Sequence, residues 1–482
     1  MRPFSSVCAC VCSFFVITVS APAADWSASG MILTPAGILA DGTLSISDGR
    51  IVTIGPSATT HGTNTPVKLP GIILPGFIDL HDHLTWNVQP RWLPSRKFLN
   101  RYEWQDAAEY DRVLYNPHYA AMNTVSCEAE IYAEIKALAG GATSSLGGLL
   151  KNDKYPDNQK CVAGLVRNLD TDSGFSHPTS DSACPTAKAE TDRTLLDVVE
   201  NEIFPLELTH DRFDYLLCAL GNRTLRGLVV HLSEGANADS AAHREYSMLS
   251  KEILLGGKDG KTPIVRDGLA LIHGTALRDA DFLGLKASNV GLIWSPRSND
   301  ELYGSTTNIA SARLAGIDIA IAPDWSPSGS AGMLQEMGYA LRRYGIASGD
   351  LMSMATSTPA KLVRISDYIG ALAPTKFADF VVINVTIDPT KTNPLDPVAK
   401  ATPADVALVV IGGQPVYGDT KLLTQLLPNT KLDALKVCGA DKMVDLTSTA
   451  AKDKNWGLDD IKNHLKKALE TLGTSLAEIE CD

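Results

Sequence analysis

The chain has 482 residues, of which 44% are hydrophobic and 20% are charged. This composition excludes a disordered or fibrous protein, and the length provides for one domain of roughly 250 residues or more with a smaller partner. The formal net charge of −12, without a basic cluster, argues against a nucleic-acid surface. A small molecule is therefore the expected partner.

The first 24 residues have the pattern of a cleaved signal peptide. Arg2 precedes an apolar stretch at residues 7–19, and small residues follow at Ala21, Ala23 and Ala24. The apolar stretch is shorter than the roughly 20 residues that a membrane-spanning helix needs, so we expect no stable membrane anchor. The pattern predicts a secreted or periplasmic protein.

Six cysteines follow the predicted signal peptide, an even number that is compatible with disulfides in an oxidising compartment. Cys161 and Cys184 lie at the two ends of a polar stretch, and Cys438 and Cys481 lie at the two ends of the C-terminal segment. Cys127 and Cys218 lie in segments with apolar periodicity, where the alternative to a disulfide is a small buried hydrophobic residue. The sequence does not give the disulfide pairing.

The two flanks of the chain have strand-like patterns. Residues 25–70 are short alternating runs with Asp-Gly turn signals, and similar runs return in residues 371–420. We expect both flanks to build one small β-sandwich domain around a central domain. Residues 421–482 have a helical pattern and form a predicted C-terminal extension.

Residues 71–370 form the predicted central domain, in which apolar strand-like runs alternate with helical segments. Buried parallel strands separated by helices are typical of an α/β fold. Because no glycine-rich phosphate fingerprint follows the first strand, the pattern favours a (β/α)8 TIM-like barrel over an open sheet. The oligomeric state stays open, and a homo-oligomer is one of the alternatives.

Polar side chains stand at the ends of several of these apolar runs. In a barrel, residues just past the carboxyl end of each strand face one common site. Imidazole and carboxylate groups are ligands that suit Zn²⁺ or Fe²⁺. The candidate site residues are His81, His83, His231, Glu234, His273 and Asp324.

Five segments, in this order along the chain, resemble the amidohydrolase superfamily: PGFIDLHDH, VVHLSEG, LIHG, WSPRSN and APDWSPSGS. The resemblance covers about residues 30–420. It implies a metal-dependent hydrolase in which a metal ion activates the attacking water. The implied metal ligands are His81, His83, His231 and Asp324. The implied catalytic residues are Glu234 as proton shuttle, His273 as the group that polarises the substrate or orients the water, and Asp324 as a second proton-transfer group.

The resemblance also indicates which branch of the superfamily to expect. Members with two metals usually bridge them with a carboxylated lysine after the fourth strand, but this chain has no lysine between Lys188 and Lys251. A single-metal, deaminase-like branch is therefore preferred. The expected cofactor is one divalent transition metal, Zn²⁺ first and Fe²⁺ as the alternative.

Several of these residues have structural alternatives. Glu234 could be a carboxylate at the start of a helix, and Trp325 and Ser326 could line the pocket or cap a helix. The aromatic-rich segment at residues 86–104 is either a pocket wall or a packing arm. The other histidines are expected to be solvated: His61, His118, His177, His210, His243 and His464.

The sequence predicts an exported metal-dependent amidohydrolase that hydrolyses a carbon–nitrogen bond other than a peptide bond. The reaction would be deamination of a heterocycle or cleavage of an amide or cyclic amide. One alternative is a dipeptide or N-acyl amino acid hydrolase, which would need an Arg or Lys in the pocket to bind a carboxylate. The others are a triazine-type hydrolase and a non-catalytic binding protein on the same scaffold.

Overall fold

A computed structural model describes residues 25–57, 65–148, 161, 164–170, 199–251 and 265–481. The predicted signal peptide, residues 1–24, lies outside the described residues. The described strands are β1 (Trp26–Thr34), β2 (Gly37–Ser47), β3 (Arg50–Pro56), β4 (Val67–Pro75), β5 (Phe77–Asp79), β6 (Ala142–Ser145), β7 (Arg167–Asn168), β8 (Val199–Glu202), β9 (Gly227–Leu232), β10 (Leu269–His273), β11 (Gly291–Trp294), β12 (Ile319–Ile321), β13 (Phe380–Ile383), β14 (Val406–Ile411), β15 (Gln414–Asp419), β16 (Asp433–Val437) and β17 (Ala440–Val444).

Helices connect the central strands and cover their outer side. The described α-helices are α1 (Arg101–Gln105), α2 (Ala108–Tyr110), α3 (Asn116–Ala139), α4 (His210–Gly221), α5 (Ser240–Lys251), α6 (Asp279–Ala287), α7 (Pro296–Tyr303), α8 (Ile309–Leu314), α9 (Met333–Tyr344), α10 (Ser348–Ala355), α11 (Ser357–Leu362), α12 (Asp396–Ala399), α13 (Thr420–Leu426), α14 (Ala450–Lys454) and α15 (Leu458–Thr471). None of the described helices is both long and apolar enough to cross a membrane.

The central strands are parallel and lie in two sheets, with the orders β5-β6-β7 and β12-β11-β10-β9-β8. Strands β9 and β10 are buried along their whole length, which is why they are continuous apolar runs in the sequence. The predicted α/β fold is confirmed.

The described strands do not form the single closed sheet that the barrel prediction required. At the two junctions between the sheets, one or two backbone hydrogen bonds replace a strand ladder. Val199 N donates to Leu169 O at 3.0 Å at one junction. At the other, Asp324 N donates to His81 O at 2.9 Å and His83 N donates to Asp324 O at 3.0 Å. Strands β5 and β12 have three residues each and β7 has two, which is too short for a ladder at these junctions. The carboxyl ends of the strands still meet on one face.

Alternate residues of the central strands face two different cores, as the period of a strand requires. In β10, Leu269 and Leu271 belong to the large core that includes the helices, whereas Ala270 and Ile272 belong to a smaller core. That smaller core collects inward-facing residues from both parallel sheets, such as Ile78 from β5. The strands are therefore packed on both faces.

The flanks form one nine-stranded sheet with the order β16-β17-β15-β14-β13-β4-β1-β2-β3. The described strands do not show the predicted β-sandwich as a separate domain. Strand β4 pairs in parallel with β1 and antiparallel with β13, so the strands of both flanks share one sheet. The predicted C-terminal helical extension also contains β16 and β17, a hairpin whose turn residues Cys438 and Gly439 both have positive φ.

Two disulfides join distant segments of the described chain: Cys127–Cys161 and Cys438–Cys481. The alternative that Cys127 is a small hydrophobic residue without a covalent partner is therefore wrong. Cys184, which brackets the polar stretch with Cys161, lies outside the described residues.

Candidate active site

The structure brings all six predicted site residues together on the face where the central strands end. Five of the six are almost completely buried, and His83 is partly exposed. His81 and His83 follow β5, His273 is the last residue of β10, and Asp324 follows β12; His231 lies in β9, and Glu234 comes just after it.

Asp324 and His81 lie at the centre of this group. The Oδ1 atom of Asp324 is 3.3 Å from Nε2 of His81 and 3.5 Å from Nε2 of His83. The rings of His231 and His273 both have their centroids 4.8 Å from that of His81. Two overlapping sets of three residues place one ligand atom each within 4.8 Å of one another: His81 with His231 and His273, and His81 with His83 and Asp324.

The two possible sets of metal ligands share His81 but differ in whether His273 is included. His273, predicted to act on the substrate or water, lies as close to His81 as His231 does. The division of the imidazoles between metal ligands and substrate-contacting residues therefore stays a prediction.

Strained backbone fixes three of the strand ends. Ser233, His273 and Asp324 have left-handed φ angles of 53°, 64° and 72°, a conformation that non-glycine residues rarely adopt. At Asp324 the surrounding backbone holds the conformation, because its N–H donates to His81 O and its carbonyl accepts from His83 N. This strain aims the carboxylate at the histidines.

Two residues of the segment after β11 orient the central imidazoles. Nδ1 of His81 is 2.8 Å from the Ser295 hydroxyl, and Nδ1 of His273 is 2.9 Å from Oδ1 of Asn299. Because the Asn299 oxygen accepts, Nδ1 of His273 donates, and its Nε2 is left free to face the cavity. This segment, WSPRSN, is part of the resemblance, but its sequence alone predicts no role for Ser295 or Asn299.

The chemistry of these groups fits a divalent transition metal. Both ring nitrogens of His231 are buried without a hydrogen-bond partner, which is costly unless another ligand satisfies them. Burial lowers the pKa of His83 to about 4 and lowers the pKa values of His231 and His273, so these rings are neutral and have free lone pairs.

Asp324 supplies the negative charge. Burial alone would raise the pKa of this carboxyl, but the charge and hydrogen bond of His81 and the charges of the neighbouring histidines outweigh burial and lower it. Neutral imidazoles with one carboxylate form a donor set that Zn²⁺ and Fe²⁺ both accept.

Glu234 belongs to a buried hydrogen-bonded chain. Tyr303 donates its hydroxyl proton to Oε1 of Glu234 at 2.5 Å, and Nε1 of Trp104 donates to the Tyr303 hydroxyl at 2.7 Å. The other carboxylate oxygen, Oε2, is 3.6 Å from Nε2 of His273. The helix-start alternative for Glu234 is wrong, because α5 begins six residues later, at Ser240. Tyr303 is not among the predicted site residues, because it lies 69 residues away from Glu234 along the chain and no local pattern links the two.

A cavity of about 660 Å³ opens onto this group, and aromatic side chains form much of its wall. Trp86 and Trp104 line the cavity, while Trp92 and Phe98 are buried behind it in an aromatic cluster, so residues 86–104 form both a pocket wall and a packing arm. The other lining residues are Gln105, Asp106, Tyr110, Asp111, Tyr115, Tyr119, Ile203, Phe204, Leu302 and Trp325, besides His83, His231, Glu234, His273 and Asp324.

Trp325 and Ser326 do not cap a helix, since the next α-helix, α9, begins at Met333. Trp325 lines the cavity instead. The N–H of Ser326 donates to Oδ1 of Asn87 at 2.7 Å, which ties the loop after Asp324 to the segment after His83.

Some of the histidines that were expected to be solvated are not. His118 is buried, its ring stacks on Trp86 with centroids 3.7 Å apart, and burial lowers its pKa to about 3. His243 is 2.8 Å from the carboxylate of Asp281, and His464, which is partly exposed, is 3.0 Å from that of Glu128. The His210 side chain is not described, and His61 and His177 lie outside the described residues.

Comparison with known proteins agrees with this geometry. Residues 227–416, which include His231, His273 and Asp324, match the Amidohydrolase family. The match covers 190 of the 482 residues. It agrees with the predicted superfamily and with the predicted class of hydrolase.

The chain resembles relatives along most of its length. It is 23% identical over 423 residues to a 5-methylthioadenosine/S-adenosylhomocysteine deaminase of Desulforudis audaxviator, covering 82% of this chain and 93% of the relative. A crystal structure of an adenosine deaminase from Xanthomonas campestris with bound zinc superimposes with a TM-score of 0.56 at 16% identity, covering 83% of this chain and 96% of that one. The guanine deaminase of E. coli superimposes with a TM-score of 0.59 at 17% identity, covering 82% and 100%. At these identities the solved structures show a shared fold.

Proposed function

We propose that this amidohydrolase deaminates a nitrogen heterocycle that carries an exocyclic amine. The observation that carries the proposal is the cavity itself, whose inner end holds the histidines, Glu234 and Asp324, and whose walls are aromatic. Aromatic side chains stack on planar rings, and a cavity of this volume accommodates a base or a nucleoside. The names of the relatives, which are purine-compound deaminases, support the same substrate class.

We assign a single Zn²⁺ to His81, His83, His231 and Asp324, with Fe²⁺ as the alternative ion. The zinc in the adenosine deaminase structure supports this choice. When bound, such an ion lowers the pKa of a water ligand to near neutrality and so supplies a nucleophile. The neutral imidazoles and the anionic carboxylate are suited to hold it.

The chain's own residues would then move protons and orient the substrate. Asp324 would accept a proton from the attacking water and pass it to the departing amine. Glu234 in its protonated form would donate a proton to the ring nitrogen and regain one from the hydroxyl group that the water leaves on the ring. Tyr303 holds Glu234 in place through its short hydrogen bond. His273, fixed by Asn299, faces the same space and orients the water or the substrate.

The dipeptide and N-acyl amino acid alternative finds less support. Such a substrate carries a carboxylate that needs a cationic partner when it is bound in a pocket. Among the described lining residues there is no Lys or Arg. Arg101, which is buried nearby, already pairs with Glu245 at 3.1 Å.

A substrate panel tests the proposal. Zinc-loaded protein is incubated with adenosine, 5-methylthioadenosine, guanine and cytosine, with a cyclic amide, an N-acyl amino acid and a chlorotriazine, and product release is measured. We expect ammonia from at least one of the amine-bearing heterocycles, and a loss of roughly 10²- to 10⁴-fold in Glu234→Gln. Turnover confined to the amides or the triazine would replace the proposed substrate class, and no turnover with any compound would favour a binding protein.

We also propose that the protein is exported, as its first 24 residues predict. The two disulfides of the described chain support this proposal, because structural disulfides form and persist in oxidising compartments.

A further inference from the structure

The described part of the active-site cavity has an acidic mouth. Asp106 and Asp111 line the cavity and are exposed. Neither carboxylate forms an ion pair within the part of the chain that the structure describes. Two further carboxylates, Glu234 and Asp324, lie at the inner end, where catalysis and the metal site account for them.

Exposed aromatic rings stand beside these carboxylates. Tyr115 and Tyr119 are 42% and 43% exposed, and their ring centroids are 4.6 Å apart. The ring of Trp86 lies 5.9 Å from that of Tyr119. Large aromatic surfaces that stay open to solvent mark binding sites, and the faces of such rings attract cations.

The charged side chains described at the cavity mouth are all acidic. The described lining residues include Asp106 and Asp111 but no Lys or Arg. The inner end of the same cavity is where the proposed function places the metal ion and the reacting ring, since His231, Glu234 and Asp324 line it. A ligand that fills the cavity therefore passes from a reactive inner end to an acidic, aromatic mouth.

We propose that Asp106, Asp111 and the neighbouring rings of Tyr115 and Tyr119 select substrates with a positively charged substituent and disfavour substrates with a carboxylate. The selected class is an amine-bearing heterocycle with a protonated amine or an alkylammonium group on its outer side. The inference rests on the proposed function for the placement of the ring at the inner end. The charge preference of the mouth follows from the lining residues alone.

Three adenosines that differ at the 5′ position test whether turnover depends on the charge of the substituent. One carries an amine as the cation, one a hydroxyl as the neutral group and one a carboxylate as the anion. We expect kcat/KM to fall in that order in the zinc-loaded enzyme. In the double variant Asp106→Asn/Asp111→Asn, the ratio of kcat/KM for the cationic adenosine to kcat/KM for the anionic adenosine should fall roughly tenfold. In wild type, the same ratio should fall when the salt concentration is raised from about 0.02 M to about 0.5 M.

Glu109→Gln is the matched control. It removes one negative charge from the helix between the two aspartates, but Glu109 lines a different cavity, next to Arg112 and Leu472. We expect this variant to keep the wild-type ratio. An unchanged ratio in the double aspartate variant, or a wild-type preference for the carboxylate, would overturn the inference.

A binding measurement separates this inference from the proposed function. Calorimetry of zinc-loaded protein with benzyltrimethylammonium and with phenylacetate needs no turnover. Tighter binding of the cation, lost in Asp106→Asn/Asp111→Asn, supports the mouth assignment even if no adenosine is deaminated. Equal binding of the two probes in wild type and variant contradicts it, even if deamination is observed.

Discussion

Asp324 is held in place through both its backbone and its side chain. Its backbone is left-handed, its amide and carbonyl bond to the segment that carries His81 and His83, and its carboxylate faces both of those rings. A buried carboxylate is costly without a cationic partner. We infer that the metal is that partner and that the same group accepts the proton of the attacking water.

Replacing Asp324 by Asn should therefore damage two functions at once. The amide cannot accept the proton and offers the metal no charge, so we expect activity to fall by more than about 10³-fold and the metal to be largely lost. The fold should persist, because the strand cores do not involve this side chain. Elemental analysis, kinetics and circular dichroism check the three expectations.

Asp318→Asn is a suitable control, since Asp318 lies on the surface and pairs with Lys361 at 2.6 Å. It should retain one ion per chain and full activity. An Asp324→Asn protein with a normal rate and metal content would show that Asp324 is not a ligand. Two tightly held ions in wild type would contradict the single-metal assignment.

At the scale of elements, helix α7 and the turn before it support the site from one side. Ser295 precedes the helix, Asn299 lies in its middle, and Tyr303 is its last residue, and each contacts a different member of the site. Spacings of four residues place these side chains on one face of a helix. The element therefore acts as a rigid support for His81, His273 and Glu234.

The variant Tyr303→Phe tests this support. It removes the hydroxyl that donates to Glu234 and leaves the ring in the aromatic cluster. A hydrogen bond to a charged group contributes about 1.5–3 kcal/mol, so we expect kcat to fall roughly 10- to 100-fold with little change in KM. Steady-state kinetics on the best substrate of the panel measure both.

Tyr339→Phe provides the comparison, because the Tyr339 hydroxyl donates to Asp300 at 2.8 Å and does not line the cavity. It should leave kcat unchanged. If Tyr303→Phe lowered the melting temperature but not kcat, the tyrosine would be a packing residue without a role in positioning Glu234.

On the scale of the whole molecule, the C-terminal tail connects the nine-stranded sheet with the active-site face. Cys481 is joined to Cys438 in the β16–β17 hairpin, and the N–H of Ala477 donates to the carbonyl of Val88 at 2.8 Å. Val88 lies only five residues beyond His83. The disulfide thus holds the tail where it contacts the segment that carries the metal ligands.

Export and disulfide formation can be checked together. We expect the mature protein to begin close to residue 25 and to contain the Cys127–Cys161 and Cys438–Cys481 pairs. Intact mass and non-reducing peptide mapping of protein recovered from the periplasm or medium measure both. A full-length chain that stays in the cytoplasm with free thiols would contradict the proposal.

The sequence by itself determined the class of fold and the residues that form the chemical centre. Fully buried parallel strands are continuous apolar runs, so β9 and β10 could be recognised from local composition. Histidine and aspartate directly after such runs stand out, because strand ends of an α/β fold share one face. Both signals are local and need no knowledge of how distant segments pair.

Only the tertiary structure decided which residues support the site, which cysteines pair and which strands lie side by side. Tyr303 reaches Glu234 across 69 residues, and the disulfide between Cys127 and Cys161 joins α3 to a loop, with no pattern in the sequence to mark either contact. The pairing of β4 with β1 and β13, which joins the two flanks in one sheet, is also not visible in the sequence. These outcomes depend on how elements dock through long-range packing, which a local pattern of residue types does not encode.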